Sequence, residues 1–184
     1  DGSCGQDEKK VAQVQKPVVQ QQKKENKNEF VVLGDAAKAI EIRPHVLTPK
    51  CEDYREVVAA GPDGVIQMLT MIADLTYVMV DKILGRNVRI DAGDKLVLAY
   101  GGAIHNDLVP REGREKWSFG PRLAKLTNNR YVALDLIVPE FIKDNESWTS
   151  LPWYPHFDPK AHPDKTTLYR VADKSYVIIF PASG

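Results

Sequence analysis

Apolar and small residues recur at spacings of three and four along one stretch of the chain. Val65, Leu69, Ile72, Thr76, Met79 and Ile83 form the repeat, and Met68 and Leu75 widen it. This period predicts an amphipathic helix of about six turns, with Asp63 as N-cap and Gly85 as its stop. Met68, Met71 and Met79 fall on or beside the stripe, where a core-packing role suits them better than a soft-ligand surface. Upstream, the apolar run at residues 30–33 ends at Gly34-Asp35 and predicts a buried strand entering a turn. Residues 36–42 fit either a short helix or a second strand. Pro44 and Pro49 bracket a loop, and residues 51–60 read as a helix stopped by Gly61-Pro62.

Downstream, Gly93-Asp94 marks a turn and residues 95–100 form a near-continuous apolar run closing at Gly101-Gly102. A strand buried on both faces has this pattern, which favours a parallel or mixed sheet covered by helices. Residues 118–126 predict a short helix, Asn128-Asn129 a turn, and residues 130–138 another strand closed by Pro139. Residues 147–163 concentrate Trp148, Trp153, Tyr154, Phe157, His156 and His162 among four prolines, which forbid regular structure and suggest a packed loop or a binding edge. Residues 167–171 and 176–180 flank Ala172-Asp173-Lys174 as a terminal hairpin. The expected fold is α/β: a mixed, mostly parallel sheet flanked by helices, with a terminal β-hairpin.

Charge then narrows the reading. Lys plus Arg and Asp plus Glu both total 25 in 184 residues, so the chain carries no global basic field and nucleic acid is not an expected partner. No run approaches the roughly 20 apolar residues of a membrane-spanning helix, so no transmembrane segment is expected. Residues 6–28 hold six Gln and six Lys and no aromatic residue. That composition predicts a solvated tether over residues 1–29, followed by one α/β domain over 30–184, either whole or the C-terminal part of a larger protein. Cys4 and Cys51 leave three options open: a disulfide, which implies an oxidising compartment, two unrelated thiols, or a lipid on Cys4, for which Asp1 is an unusual neighbour.

No HExxH, CxxC pair, P-loop or GxSxG occurs. One place combines several chemical features. Tyr100-Gly101-Gly102 ends the 95–100 run, and His105, Asn106 and Asp107 follow. The carboxyl ends of strands in α/β sheets open into ligand crevices, and two glycines let backbone and ligand approach closely. His105 is the candidate metal ligand or general base. Asn106 and Asp107 could orient it, and Arg111, Arg114 and Arg122 could hold an anionic group.

Residues 96–137 resemble the last block of the Tiki/ChaN/TraB and erythromycin-esterase superfamily. The residues that carry the likeness are Gly102-Ala103-Ile104-His105 as a Gly-X-X-His motif, the charged loop after it, the small-Phe-Gly-x-x-Leu helix Ser118 to Leu123, and the strand from Tyr131. The resemblance implies a site that takes a histidine from each of two such elements, in proteins that bind haem or act as metal-dependent peptidases or esterases. In this chain the earlier element would fall at Gly34-Asp35-Ala36-Ala37, with Ala37 at the histidine position.

The function expected from these readings is a bacterial envelope domain, periplasmic or extracellular with a lipid anchor as one option, that binds haem or a divalent metal. His105 would be the metal ligand, and Tyr100, Gly101, Gly102 and Asn106 would line the cofactor. A hydrolase of the same superfamily is the alternative, with His105, Asp107, Arg111 and Arg122 as catalytic residues. A structural or interaction subunit is the other, docking a protein partner through residues 1–29 and 147–163.

Overall fold

The stripe from Val65 to Ile83 forms one long helix. The computed structural model describes residues 4–19, 29–88, 96–157 and 164–181. Among these are six α-helices, α1 (Gln6–Val19), α2 (Glu29–Ala39), α3 (Cys51–Ala59), α4 (Gly64–Val88), α5 (Gly120–Leu126) and α6 (Glu146–Thr149), and three strands, β1 (Ala133–Ile137), β2 (Thr167–Ala172) and β3 (Ser175–Ile179). The fold is α/β, mostly helical, with its strands toward the C-terminus. Within α4 the chain divides into two units, Asp1–Met79 and Val80–Gly184. The Gly93-Asp94 turn, residues 20–28 of the expected tether, and His162 lie outside the described residues.

In the first unit, Val11 of α1, Val57 of α3 and Met68 of α4 form a buried cluster, with Val14, Tyr54, Val58, Met71 and Ile72 packed around it. The Gln15 amide donates to the Met68 sulfur at 3.1 Å. Gly64 admits this packing, because a Cβ there would sit 3.0 Å from Val57 O and 3.2 Å from a Val14 methyl. Helix α1 is thus partly buried, at Val11, Val14 and Gln15, where composition predicts a solvated tether. A covalent constraint accounts for the difference. Cys4 is disulfide-bonded to Cys51 at the start of α3, with Cα atoms 5.2 Å apart, and this holds α1 where Val11 and Val14 can bury.

Residues 30–33 are helical and belong to α2. A four-residue apolar run fits helix and strand equally, and here Val31, Val32 and Leu33 stay exposed on the helix. The helix ends in a Schellman closure, with Ile42 N–H donating to Ala37 O at 2.9 Å and Glu41 N–H to Lys38 O at 3.0 Å. Glu41 takes the left-handed conformation (φ 61°) that glycine usually supplies. At the start of α3, the Asp53 carboxylate accepts the Lys50 N–H at 2.6 Å. In α4, Met68, Ala73, Thr76 and Val80 are buried. By length and composition alone, Gly61–Gly85 is long and apolar enough to cross a bilayer.

In the second unit the sheet order is β1-β3-β2. β1 pairs with β3 in parallel, with Asp135 opposite Val177, and β2 pairs with β3 antiparallel as the terminal hairpin. The sheet is therefore mixed, with one pairing of each kind. Its inner face carries Val177 and Ile179 onto Trp153, with Trp148, Leu151, Tyr154 and Phe157 packed around them. The proline-rich 147–157 stretch thus closes onto its own unit, as aromatic content predicts for a packed loop. Residues 96–100 lie outside the sheet. Leu96 is 92% exposed and Leu98 81%, so the expected strand buried on both faces is not formed by them.

Candidate functional site

The two glycines at 101–102 lead into a tight turn over Ala103–His105, closed by the His105 N–H donating to Gly102 O at 3.0 Å. The turn carries the imidazole inward, leaving His105 only 6% exposed. Its Nδ1 lies 2.7 Å from the carbonyl oxygen of Trp117. A carbonyl can only accept, so Nδ1 carries the proton and, in the neutral ring, Nε2 keeps its lone pair. The Cδ2 edge, next to Nε2, faces Gly102. A Cβ on Gly102 would lie 3.7 Å from Cδ2. Gly102 itself is exposed.

The segment 117–120 clasps the histidine loop from the other side. Ser118 is fully buried; its hydroxyl donates to Asp107 O at 2.7 Å, with His105 O at 3.1 Å sharing the proton. It accepts the Gly120 N–H at 3.1 Å. The Phe119 N–H donates to His105 O at 2.8 Å. Gly120, the first residue of α5, has no room for a side chain, because a Cβ would overlap Asp107 O and lie 2.6 Å from Asn106 O. The buried Phe119 ring meets Tyr131 edge to face at 6.5 Å, and the Tyr131 hydroxyl donates to Asn106 O at 3.0 Å. Ser, Phe and Gly in this order are therefore each fixed by a hydrogen bond, a ring contact or a missing side chain.

Asn106 ties the loop to β1. Its Nδ2 donates to Asp135 Oδ1 at 3.0 Å and to Leu134 O at 3.3 Å, while its Oδ1 is buried without a hydrogen-bond partner among the described residues. Burial pushes the Asp135 carboxyl above its ordinary value; the Asn106 hydrogen bond works against this and the Asp107 charge adds to it. Burial likewise raises Asp107, opposed by Arg111 and Arg114. Tyr131 is raised by burial and by the charges of Asp135 and Asp107. The Arg114 guanidinium lies over the Trp117 ring, 5.7 Å from its centroid.

Of the residues singled out by sequence, the fold brings together His105, Asn106 and Asp107, with Arg111 and Arg114 acting on Asp107. The imidazole is oriented by the Trp117 carbonyl and not by Asn106 or Asp107. Tyr100 and Gly101 are exposed, and Arg122 is exposed on α5. Trp117 and Asp135 escaped the sequence reading. Trp117 acts through its backbone, which has no sequence signature. Asp135 is a lone acidic residue in an apolar strand, and that was a usable signal. No group of three or more His, Cys, Asp or Glu side chains is placed to hold a metal ion among the described residues; the His156 side chain and His162 lie outside them. No protein-family model, curated protein or solved structure matches the chain.

Proposed function

We propose that this chain is an extracytoplasmic ligand-binding domain that offers His105 Nε2 to the iron of haem. The observation that carries the proposal is the 2.7 Å hydrogen bond from Nδ1 to the Trp117 carbonyl. Ligating histidines usually have their second nitrogen held in this way, which fixes the tautomer and strengthens the donor. One histidine donor is enough for haem. A bare ion such as zinc asks for three or four protein ligands, whereas the haem ring brings its own nitrogens and needs one or two axial ligands. The Cδ2 edge of the ring, next to Nε2, faces the exposed Gly102, which carries no side chain of its own. The Cys4–Cys51 bond supports an oxidising compartment. The hydrolase alternative has weaker support, since His105 leans on a neutral carbonyl and not on a carboxylate that would stabilise an imidazolium.

Hemin titration followed by the Soret band tests the proposal on the whole chain. His105→Asn is the informative variant, because its amide can still donate to Trp117 O while Nε2 is gone. Binding by the parent chain and loss of at least about tenfold affinity in this folded variant is the expected result. Equal affinity and an equal Soret shift in both would end the proposal. Gly102→Val should weaken binding by crowding the Cδ2 edge of the ring, with the Trp117 hydrogen bond intact.

A second reading, an interaction subunit, rests on the outer face of the sheet. Leu134, Leu136, Leu168 and Phe180 are exposed there, an apolar surface of the kind that partners cover. Light scattering over a concentration series tests it: a monomer throughout would leave only a different protein as partner.

A further inference from the structure

We propose that Asp135 and Asn106 form an acid-closed latch: when Asp135 takes up a proton from solvent, its new O–H donates to Asn106 Oδ1 and locks the His105 loop to β1. The geometry leads there directly. The amide and the carboxyl already meet through Asn106 Nδ2 and Asp135 Oδ1 at 3.0 Å. The amide's own acceptor, Oδ1, is buried and has no donor among the described residues. A buried acceptor without a partner is costly, and a carboxylate has no proton to offer it, whereas a carboxylic acid does. Protonation would complete a two-bond acid–amide pair from a single-bond one.

The surroundings favour the protonated form. Asp135 is on the inner face of β1, with Val177 of β3 opposite it and Tyr169 of β2 beyond in register. Asp107 faces it from the loop, screened by Arg111 and Arg114, and Tyr131 faces it from the residues before β1. Asp107 adds negative charge, which opposes ionisation of Asp135. A carboxyl whose folded-state pKa is raised stabilises the fold below its unfolded pKa, and this contribution is lost as pH rises through the folded value. The latch is thus closed in acid and loosened toward neutral pH. It does not depend on His105 binding anything.

The test is NMR of the whole chain from pH 3 to 8, without ligand. The Asp135 carboxyl carbon should titrate above the ordinary carboxylate range. As it protonates, exchange of the Asn106 side-chain NH2 should slow by about three- to tenfold relative to Asn128, Asn129 and Asn145 in the same sample. Asp135→Asn should hold the latch closed at every pH, because its amide supplies the missing donor, and its thermal midpoint should lose the parent's rise toward acid. Asp107→Asn should keep the latch but move its midpoint down. Ordinary titration of Asp135, unchanged relative exchange at Asn106, or transfer of the effect to Asp107 would each overturn the proposal.

Discussion

The Nδ1 of His105 and the carbonyl oxygen of Trp117, twelve residues apart in sequence, lie 2.7 Å from each other. The bond joins the Gly-X-X-His turn to the segment that opens α5. Truncation to His105→Ala removes the donor and leaves the Trp117 carbonyl without it. A loss of about 1–3 kcal/mol is expected, measured by urea unfolding, and His105→Asn should recover most of it. Nitrogen NMR of the parent imidazole at neutral pH should show the proton on Nδ1.

Gly120 and Gly85 should respond in opposite directions to the same change. An alanine Cβ at 120 would collide with the backbone of Asp107 and Asn106, so Gly120→Ala should cost about 3 kcal/mol or more. Gly85 sits inside α4 with open space around it. Gly85→Ala should stabilise by about 0.5–1 kcal/mol through helix propensity. Chemical denaturation of both variants checks the pair.

Replacing Cys51 by Ser, or adding reductant, frees α1 from α3. For a bond closing 47 residues of separation, loop entropy predicts a loss of about 4 kcal/mol. Val11 loses its anchor as well, so the helical signal of α1 should fall with the same midpoint. Circular dichroism with and without reductant reads both.

Trp153 is 3% exposed and meets Trp148 and Phe157 edge to face, each at 6.1 Å. Trp153→Ala should cost about 3–5 kcal/mol and abolish most near-ultraviolet circular dichroism from this cluster. Tryptophan fluorescence of the variant should shift to the red at rest as Trp148 becomes wetter.

The capping of α2 offers a gain. Glu41 bears the left-handed turn that closes the helix, at a cost of roughly 1 kcal/mol for a residue with a side chain. Glu41→Gly should raise stability by about that amount, read as a higher urea midpoint.

Long periodic patterns were legible in the sequence. The stripe of α4, the helices at 51–60 and 118–126, the strand before Pro139 and the terminal hairpin all form near their expected places. Short apolar runs were not. Residues 30–33 could serve helix or strand equally, and residues 96–100 carry a strand's pattern without joining the sheet, since pairing depends on a neighbour that the run itself does not specify. The site divides in the same way. His105, Asn106 and Asp107 could be singled out because they are polar residues after a Gly-Gly turn. The carbonyl of Trp117 and the fit of Gly120 against Asp107 belong to backbone geometry, which no residue pattern announces.

The Cys4–Cys51 bond also decides how the chain would respond to a protease. A single cut anywhere between the two cysteines opens the backbone without separating the pieces, because the sulfur link still holds α1 to α3. On a denaturing gel such a nicked protein would run as one band without reductant and as two with it. Damage to the connecting stretch could thus go unseen in a non-reduced sample while the first unit keeps both of its halves.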